Sequence, residues 1–148
     1  MKNVLVTGST GTLGEEILRL LLKNNYNVIG HYNKNWERAY ELEKELGIEF
    51  IKCDLTNEND IDNMVNYLIN KYEHIDILIN NAAFYYDEPL EEKTKDTLNM
   101  DESFIKEEKE KILLNRFGSP YEIARSILFL CENDYIDGEI IRIDGGKR

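Results

Sequence analysis

The sequence predicts an α/β fold, a doubly wound parallel sheet, and three observations point to it. Four short apolar runs alternate with three segments of helical periodicity between Val4 and Asn80. The first run, Val4-Leu5-Val6, is continuously apolar, as expected of a central parallel strand covered on both faces. A glycine-rich turn, Gly8 to Gly14, separates that run from the first helical segment.

After the turn, Leu13, Ile17, Leu18, Leu21 and Leu22 recur at helical spacing, and Asn24-Asn25 stops the helix. Val28-Ile29 begins a second strand. A helix from about Trp36 to Leu46 follows and ends at Gly47. Ile48 to Cys53 is the third strand, and Thr56 is the expected cap of a helix with apolar face Ile61, Met64, Val65, Leu68 and Ile69. Ile75 to Ile79 is the fourth strand, opening into Asn80-Asn81-Ala82-Ala83. Tyr85 to Asp101 reads as polar, acidic loop, with a charged helix over Phe104 to Leu114. Ser119-Pro120-Tyr121-Glu122 is a capping box with proline at the first helical position, opening a helix that carries Ile123, Ile127, Leu128, Leu130 and Cys131. Gly138 leads into a last strand, Ile140 to Ile143, closed by Asp144-Gly145-Gly146. About five strands are expected, in the order 3-2-1-4-5, the last reaching the fourth by a right-handed crossover.

The 148 residues fit one domain, and the 42% hydrophobic and 32% charged fractions read as soluble and globular. A net charge of -11 argues against nucleic acid and against an anionic membrane surface. No apolar run approaches the ~20 residues of a membrane helix. Met1-Lys2-Asn3-Val4 enters a strand directly, which leaves no room for a signal peptide. The two cysteines, Cys53 and Cys131, lack metal-ligand spacing and read as buried free thiols in a reducing cytoplasm. No metal site or histidine triad is expected from His31 and His74, and the Asp87-Glu88, Glu91-Glu92 cluster reads as solvated loop.

Between a buried strand and an amphipathic helix, a glycine turn of this kind cradles the pyrophosphate of a dinucleotide. Gly8 would allow the tight turn, Gly11 the close approach of backbone to phosphate, and Gly14 the packing of helix on strand. The candidate cofactor residues are Gly8, Ser9, Thr10, Gly11, Thr12, Leu13 and Gly14, with the pyrophosphate on the N–H groups and positive end of the helix. A glycine turn with no ligand is the competing reading. At the end of the second strand, where an NAD site places Asp or Glu on the ribose, stands His31-Tyr32-Asn33-Lys34. No carboxylate there repels a 2′-phosphate, and Lys34 beside Asn33 could pair with one. NADP is therefore favoured over NAD, with Lys34 as an ordinary solvated lysine the alternative.

Four segments together resemble the short-chain dehydrogenase/reductase family, particularly its 3-oxoacyl-[acyl-carrier-protein] reductase-like members. They are Thr7 to Gly14, Cys53-Asp54-Leu55-Thr56, Ile77 to Ala83, and the tail from Arg116 to Gly146, including Arg116 to Ala124 and Ile143-Asp144-Gly145-Gly146. The resemblance implies a Rossmann-type domain in which Asp54 binds the adenine ring with Leu55 beside it. It also implies that Asn80, Asn81 and Ala82 line the adenosine ribose and steady the fourth strand. The chain is then one dinucleotide-binding domain, 1–148: a nucleotide-binding half over 1–83, loop and charged helix over 84–115, and the C-terminal helix and last strand over 116–148.

Departures from the family pattern are as informative. The usual glycine spacing is Thr-Gly-x-x-x-Gly-x-Gly, whereas Thr12 takes the place of the middle glycine and Gly11 lies one position earlier, as in the extended branch of the superfamily. Ala83 replaces a glycine. Between Ala83 and Arg116 the family carries two further strands, a catalytic Ser and a Tyr-x-x-x-Lys pair, and this chain reads as truncated there.

The family mechanism needs a tyrosine acid and a lysine that lowers its pKa. Two Tyr-x-x-x-Lys matches occur, Tyr40 with Lys44 and Tyr67 with Lys71, both on predicted helices. Tyr67 and Lys71 fall at the end of theirs, on the sheet edge away from ligands, and Tyr40 lies mid-helix. Both pairs read as packing and surface residues. Tyr85 and Tyr86 with Lys93 and Lys95, or Tyr121 with Arg125, are better placed by position alone. No residue is assigned as catalytic. Three functions compete: an NAD(P)-binding protein of oxidoreductase ancestry lacking the usual catalytic residues, an active carbonyl reductase or alcohol dehydrogenase using another acid, and the non-functional product of an internally deleted gene. Substrate and oligomeric state are left open.

Overall fold

The structure is a computed structural model describing residues 1–83 and 102–147. These fall into two units, Met1–Ala82 with Pro120–Ile136, and Ala83–Ser119 with Asp137–Arg148. The first unit holds β1 (Asn3–Val6), α1 (Thr12–Lys23), β2 (Asn27–Tyr32), α2 (Trp36–Leu46), β3 (Phe50–Lys52), α3 (Glu58–Tyr72) and β4 (Ile77–Ile79). The second holds α4 (Glu102–Glu110), and α5 (Pro120–Glu132) returns to the first.

The strands are parallel and ordered β3-β2-β1-β4. Leu5 of β1 lies opposite Ile29 on one side and Leu78 on the other. Successive side chains of a strand leave opposite faces, so a central strand must feed two cores. Val4 and Val6 enter one of them with Ile17, Leu18 and Leu21 of α1, Val28, and Ala124 of α5. Leu5 and Ile29 enter the other with Cys53 and with Met64 and Leu68 of α3. This is the doubly wound α/β architecture the alternation of elements predicts.

Helix ends follow local chemistry. Asn24 takes the C-cap of α1, and Asn25 turns left-handed at φ 63°. Gly47 ends α2 at φ 66° and donates its N–H to the Glu43 carbonyl at 2.9 Å. The start of α3 differs from expectation. Asn57 caps it, accepting the N–H groups of Asn59 and Asp60, while the Thr56 hydroxyl donates to Asp54 at 2.7 Å. Among the described residues no helix is long and apolar enough to cross a membrane.

The expected fifth strand is a correction. Ile140 to Ile143 form no strand, and Ile140 is 96% exposed. The tail makes its hydrogen bonds elsewhere within its own unit. Lys147 bridges Ile112 antiparallel, and the Leu114 N–H donates to the Gly145 carbonyl at 3.3 Å. Gly145 and Gly146 are left-handed, at φ 64° and 79°, and press against Ile112 and Leu113. The helix α4 ends at Glu110, short of the expected Leu114.

Gly47 has no atom within 4 Å of where a Cβ would stand, so substitution there meets no steric obstacle. Gly47→Ala is expected to cost about 1 kcal/mol, the conformational term alone, in urea unfolding. An unchanged or raised stability would contradict the left-handed cap.

Candidate functional site

In a parallel sheet every strand delivers its following loop to the same edge. That edge here collects the segments after β1, β2, β3 and β4, and with them all the residues assigned from the sequence to a cofactor.

The glycine turn is fixed by contact. Gly8 is left-handed at φ 61°, and a Cβ on it would lie 2.7 Å from the Cα of Ala82. A Cβ on Gly14 would lie 2.6 Å from both the Gly8 carbonyl oxygen and the Ser9 Cα, so α1 starts directly beneath the turn. Gly11 is different. Its backbone is extended, and a Cβ there would meet only the Gly8 oxygen, at an ordinary 3.6 Å. Gly11 and Thr12 are exposed, Thr10 is half-buried, and Leu13 packs back onto the core. Asn side chains cap α2 and α3, but no side chain caps α1. The N–H groups of its first turn and the positive end of its dipole therefore face outward.

Two side chains the sequence did not single out hold this turn. Thr7, 4% exposed, accepts the N–H groups of Asn81 and Ala82 on its hydroxyl, each at 3.0 Å, and donates to the Ile79 carbonyl at 3.3 Å. The Asn81 side-chain amide donates to the Thr7 and Gly8 carbonyls at 3.0 and 3.1 Å. His31, 2% exposed, accepts the Gly8 N–H on Nδ1 at 3.1 Å, and its Nε2 donates to the Cys53 carbonyl at 3.0 Å. Burial holds its pKa below the ordinary value. Ser9 is sealed from solvent; its hydroxyl donates to the His31 carbonyl and accepts the His31 N–H, both at 2.9 Å. Only the reach of β2 past β1 reveals these bonds. Threonine beside a glycine turn was the one signal available.

Asn33, Lys34 and Asp54 come together beyond β2 and β3. Asp54 accepts the Thr56 N–H at 3.0 Å and the Thr56 hydroxyl; these, the Asn33 side chain and the Lys34 charge hold its carboxyl below the usual range. Lys34 and Asn80 are exposed, and Leu55 is 37% exposed beside Asp54. Arg38 of α2 grips Glu15 of α1 through two contacts, at 2.7 and 2.6 Å, and also pairs with Glu41.

The tyrosine–lysine pairs lie where the sequence placed them. Lys44 sits over the Tyr40 ring at 4.0 Å on an exposed face of α2. Lys71 donates to Glu49 at 2.8 Å and to the Tyr67 hydroxyl at 3.1 Å, and the Tyr67 and Tyr72 hydroxyls also donate to Glu49. Burial, with the Glu49 carboxylate, pushes Tyr72 up to about 12. Glu49 precedes β3, so this cluster occupies the opposite edge of the sheet from the glycine turn. Tyr121 is exposed in the first turn of α5. Tyr85, Tyr86, Lys93, Lys95 and the acidic cluster Asp87-Glu88, Glu91-Glu92 lie outside the described residues.

Removing the Thr7 hydroxyl would take the partner of the Ala82 N–H and leave the Asn81 N–H only the Ile79 carbonyl, at 3.1 Å. Thr7→Val should lose about 1–3 kcal/mol in urea unfolding, with Thr7→Ser recovering most of it. A Thr7→Val variant as stable as the parent would show that this clip carries nothing.

The sequence profile of the short chain dehydrogenase family matches residues 2–119. The chain is 35% identical over 82 residues to a mitochondrial borneol dehydrogenase of Lavandula x intermedia, covering 55% of this chain and 31% of that protein. It is 32% identical over 158 aligned positions to an uncharacterized membrane protein of Methanocaldococcus jannaschii, covering 99% of this chain and 45% of that one. With L-fucose dehydrogenase of Mus musculus it shares 32% over 94 residues, 63% of this chain and 34% of the enzyme. The chain thus spans less than half the length of these curated relatives. The crystal structure of a short chain dehydrogenase from Bacillus anthracis superposes with a TM-score of 0.78 at 21% identity, over 98% of this chain and 95% of that one, which shows the shared fold. With its parallel sheet, its glycine turn and a profile match over most of its length, the chain belongs to the short chain dehydrogenase family.

Proposed function

We propose that the chain binds a nicotinamide dinucleotide, NADP in preference to NAD, at the edge formed by the glycine turn, Asn33, Lys34, Asp54, Leu55, Asn80, Asn81 and Ala82. One observation carries the reading. Gly8 and Gly14 are glycines for reasons internal to the fold, whereas Gly11 is not; its exposed, uncrowded backbone opens an uncapped helix N-terminus. A pyrophosphate approaching that backbone supplies the missing reason, since the N–H groups and dipole there suit an anion. Ser9 serves from behind, its side chain turned inward, while the backbone from Thr10 to Leu13 faces the phosphates. Asn81 and Ala82 hold the turn from the β4 side. Lys34 favours the 2′-phosphate because it is exposed at the end of β2, where the run from His31 to Asn35 holds no acidic residue, although its charge also acts on Asp54 across from it.

Bound nicotinamide supplies a hydride donor or acceptor. The chain's residues at this edge serve the pyrophosphate and the adenosine, and no Tyr-x-x-x-Lys pair among the described residues lies there. We therefore favour a protein of oxidoreductase ancestry that holds the dinucleotide without the usual Ser, Tyr and Lys. The free thiols of Cys53 and Cys131 suit a reducing, cytoplasmic setting.

Titrating the purified chain with NADPH and NADH, followed by a carbonyl-substrate screen, tests this. NADPH is expected to bind more tightly, and Lys34→Glu to weaken NADPH about tenfold while leaving NADH nearly unchanged. No binding by the folded protein would sink the reading. Turnover in the screen would overturn its non-catalytic part.

A further inference from the structure

His31 is a histidine sealed at the end of β2, and both of its ring nitrogens are committed to backbone. Nδ1 faces the Gly8 N–H at 3.1 Å, and Nε2 faces the Cys53 carbonyl at 3.0 Å. An N–H offers only a donor and a carbonyl only an acceptor, so a single state satisfies both: a neutral ring with its proton on Nε2. Neither partner belongs to β2. Gly8 opens the turn after β1, and Cys53 immediately precedes Asp54 after β3. The imidazole is thus a strut between the two segments that would hold opposite parts of a dinucleotide. Its backbone is fixed as well, clasped by Ser9 through the Ser9 N–H at 3.0 Å and the hydroxyl.

We propose that His31 is a positioning residue of the dinucleotide site, whose neutral ring sets the glycine turn against the Asp54 loop and whose protonation releases the turn. The inference rests on the binding reading above. A proton arriving from solvent on Nδ1 places two donors face to face at Gly8, in a buried place where neither finds water. The turn must then move, and with it the backbone that meets the phosphates.

The groups around the ring leave this titration distinct. The glycine turn brings Gly8 and Ser9, which do not titrate. From the β3 side come the Cys53 thiol, which burial keeps neutral, then Asp54 and Asp60, the latter accepting the Asp54 N–H at 3.2 Å. Asp54 is held below the usual carboxyl range and stays ionised while histidine titrates. On β2 itself stand Tyr32 and, beyond it, Lys34; on α1, Glu15 is gripped by Arg38. Burial lowers the His31 pKa from its ordinary 6.5. The unfolded chain therefore takes up the proton first as pH falls. The stability held by the neutral ring is complete above that ordinary value and is lost as pH falls through the lower native one.

The test uses the full chain, with NADH as probe because it lacks the 2′-phosphate, which itself titrates near about pH 6. NADH affinity of the wild type should fall on acidification from about pH 8 to about pH 5.5, by up to about tenfold, the ceiling that a histidine titrating below its ordinary value sets. His31→Asn keeps an acceptor for the Gly8 N–H at every pH. It should bind more weakly than wild type at about pH 8 but without the acid loss, and His31→Leu more weakly still. Nitrogen-15 spectra of the imidazoles in the cofactor-free wild type should show the Nε2–H tautomer for His31. An Nδ1–H tautomer, or a wild type and His31→Asn that lose NADH in parallel on acidification, overturns the inference while the binding reading stands. A folded wild type that binds neither NADH nor NADPH at about pH 8 overturns both. Should the variants fail to fold, the spectra and the wild-type pH profile still decide it.

Discussion

Gly8 turns left-handed against the backbone of Ala82, so closely that a single added carbon would sit 2.7 Å from its neighbour's Cα. No L side chain suits that place, sterically or conformationally. From this contact the rest of the edge follows. It seats the end of β4 on the turn after β1, where the Thr7 hydroxyl and the Asn81 amide bond the polar groups of two crossing backbones. It sets the Gly8 carbonyl over Gly14, which dictates where α1 begins. The direction of α1 in turn brings Ile17, Leu18 and Leu21 onto the sheet and Ala124 of α5 into the same core. The N-terminus of α1 is left open at the strand ends because packing has already fixed everything around it.

How much of this a sequence discloses depends on how local the cause is. The alternation of elements, the apolar face of α1, the Ile61, Met64 and Leu68 stripe of α3 and the stop at Gly47 come from periodicity and from single-residue conformational preference. Val65 and Ile69, expected on that stripe, are exposed. The rest are legible because each is decided within a few residues. The choice between Thr56 and Asn57 as cap of α3 is not, since both are good caps and Asp54 decides it by taking the Thr56 hydroxyl. Ile140 to Ile143 has the composition of a strand, but a ladder exists only if a partner accepts it. The neighbouring glycines, which looked like a strand terminator, serve to press the tail on Ile112 and Leu113. His31 was least legible of all. A polar residue near a strand end reads as solvated, and nothing nearby in the chain marks Gly8 and Cys53 as its partners.

Charge gives the last constraint. A chain carrying -11 opposes the approach of any anion, a dinucleotide included. Salt screens exposed charges beyond a Debye length of about 8 Å, so the groups beside the glycine turn matter more than the total. Glu15, in the first turn of α1, is the acidic side chain closest in sequence to that turn, and left alone it would repel a phosphate there. Arg38 neutralises it through a two-contact pair, and the same guanidinium takes up Glu41. With Arg38 engaged in this way, Lys34 is the cation that stands exposed at the end of β2. The acidic chain thereby keeps a locally receptive edge: Arg38 offsets the carboxylate of Glu15 beside the turn, Lys34 stands next to Asp54, and the open helix terminus remains to meet the phosphates of the proposed ligand.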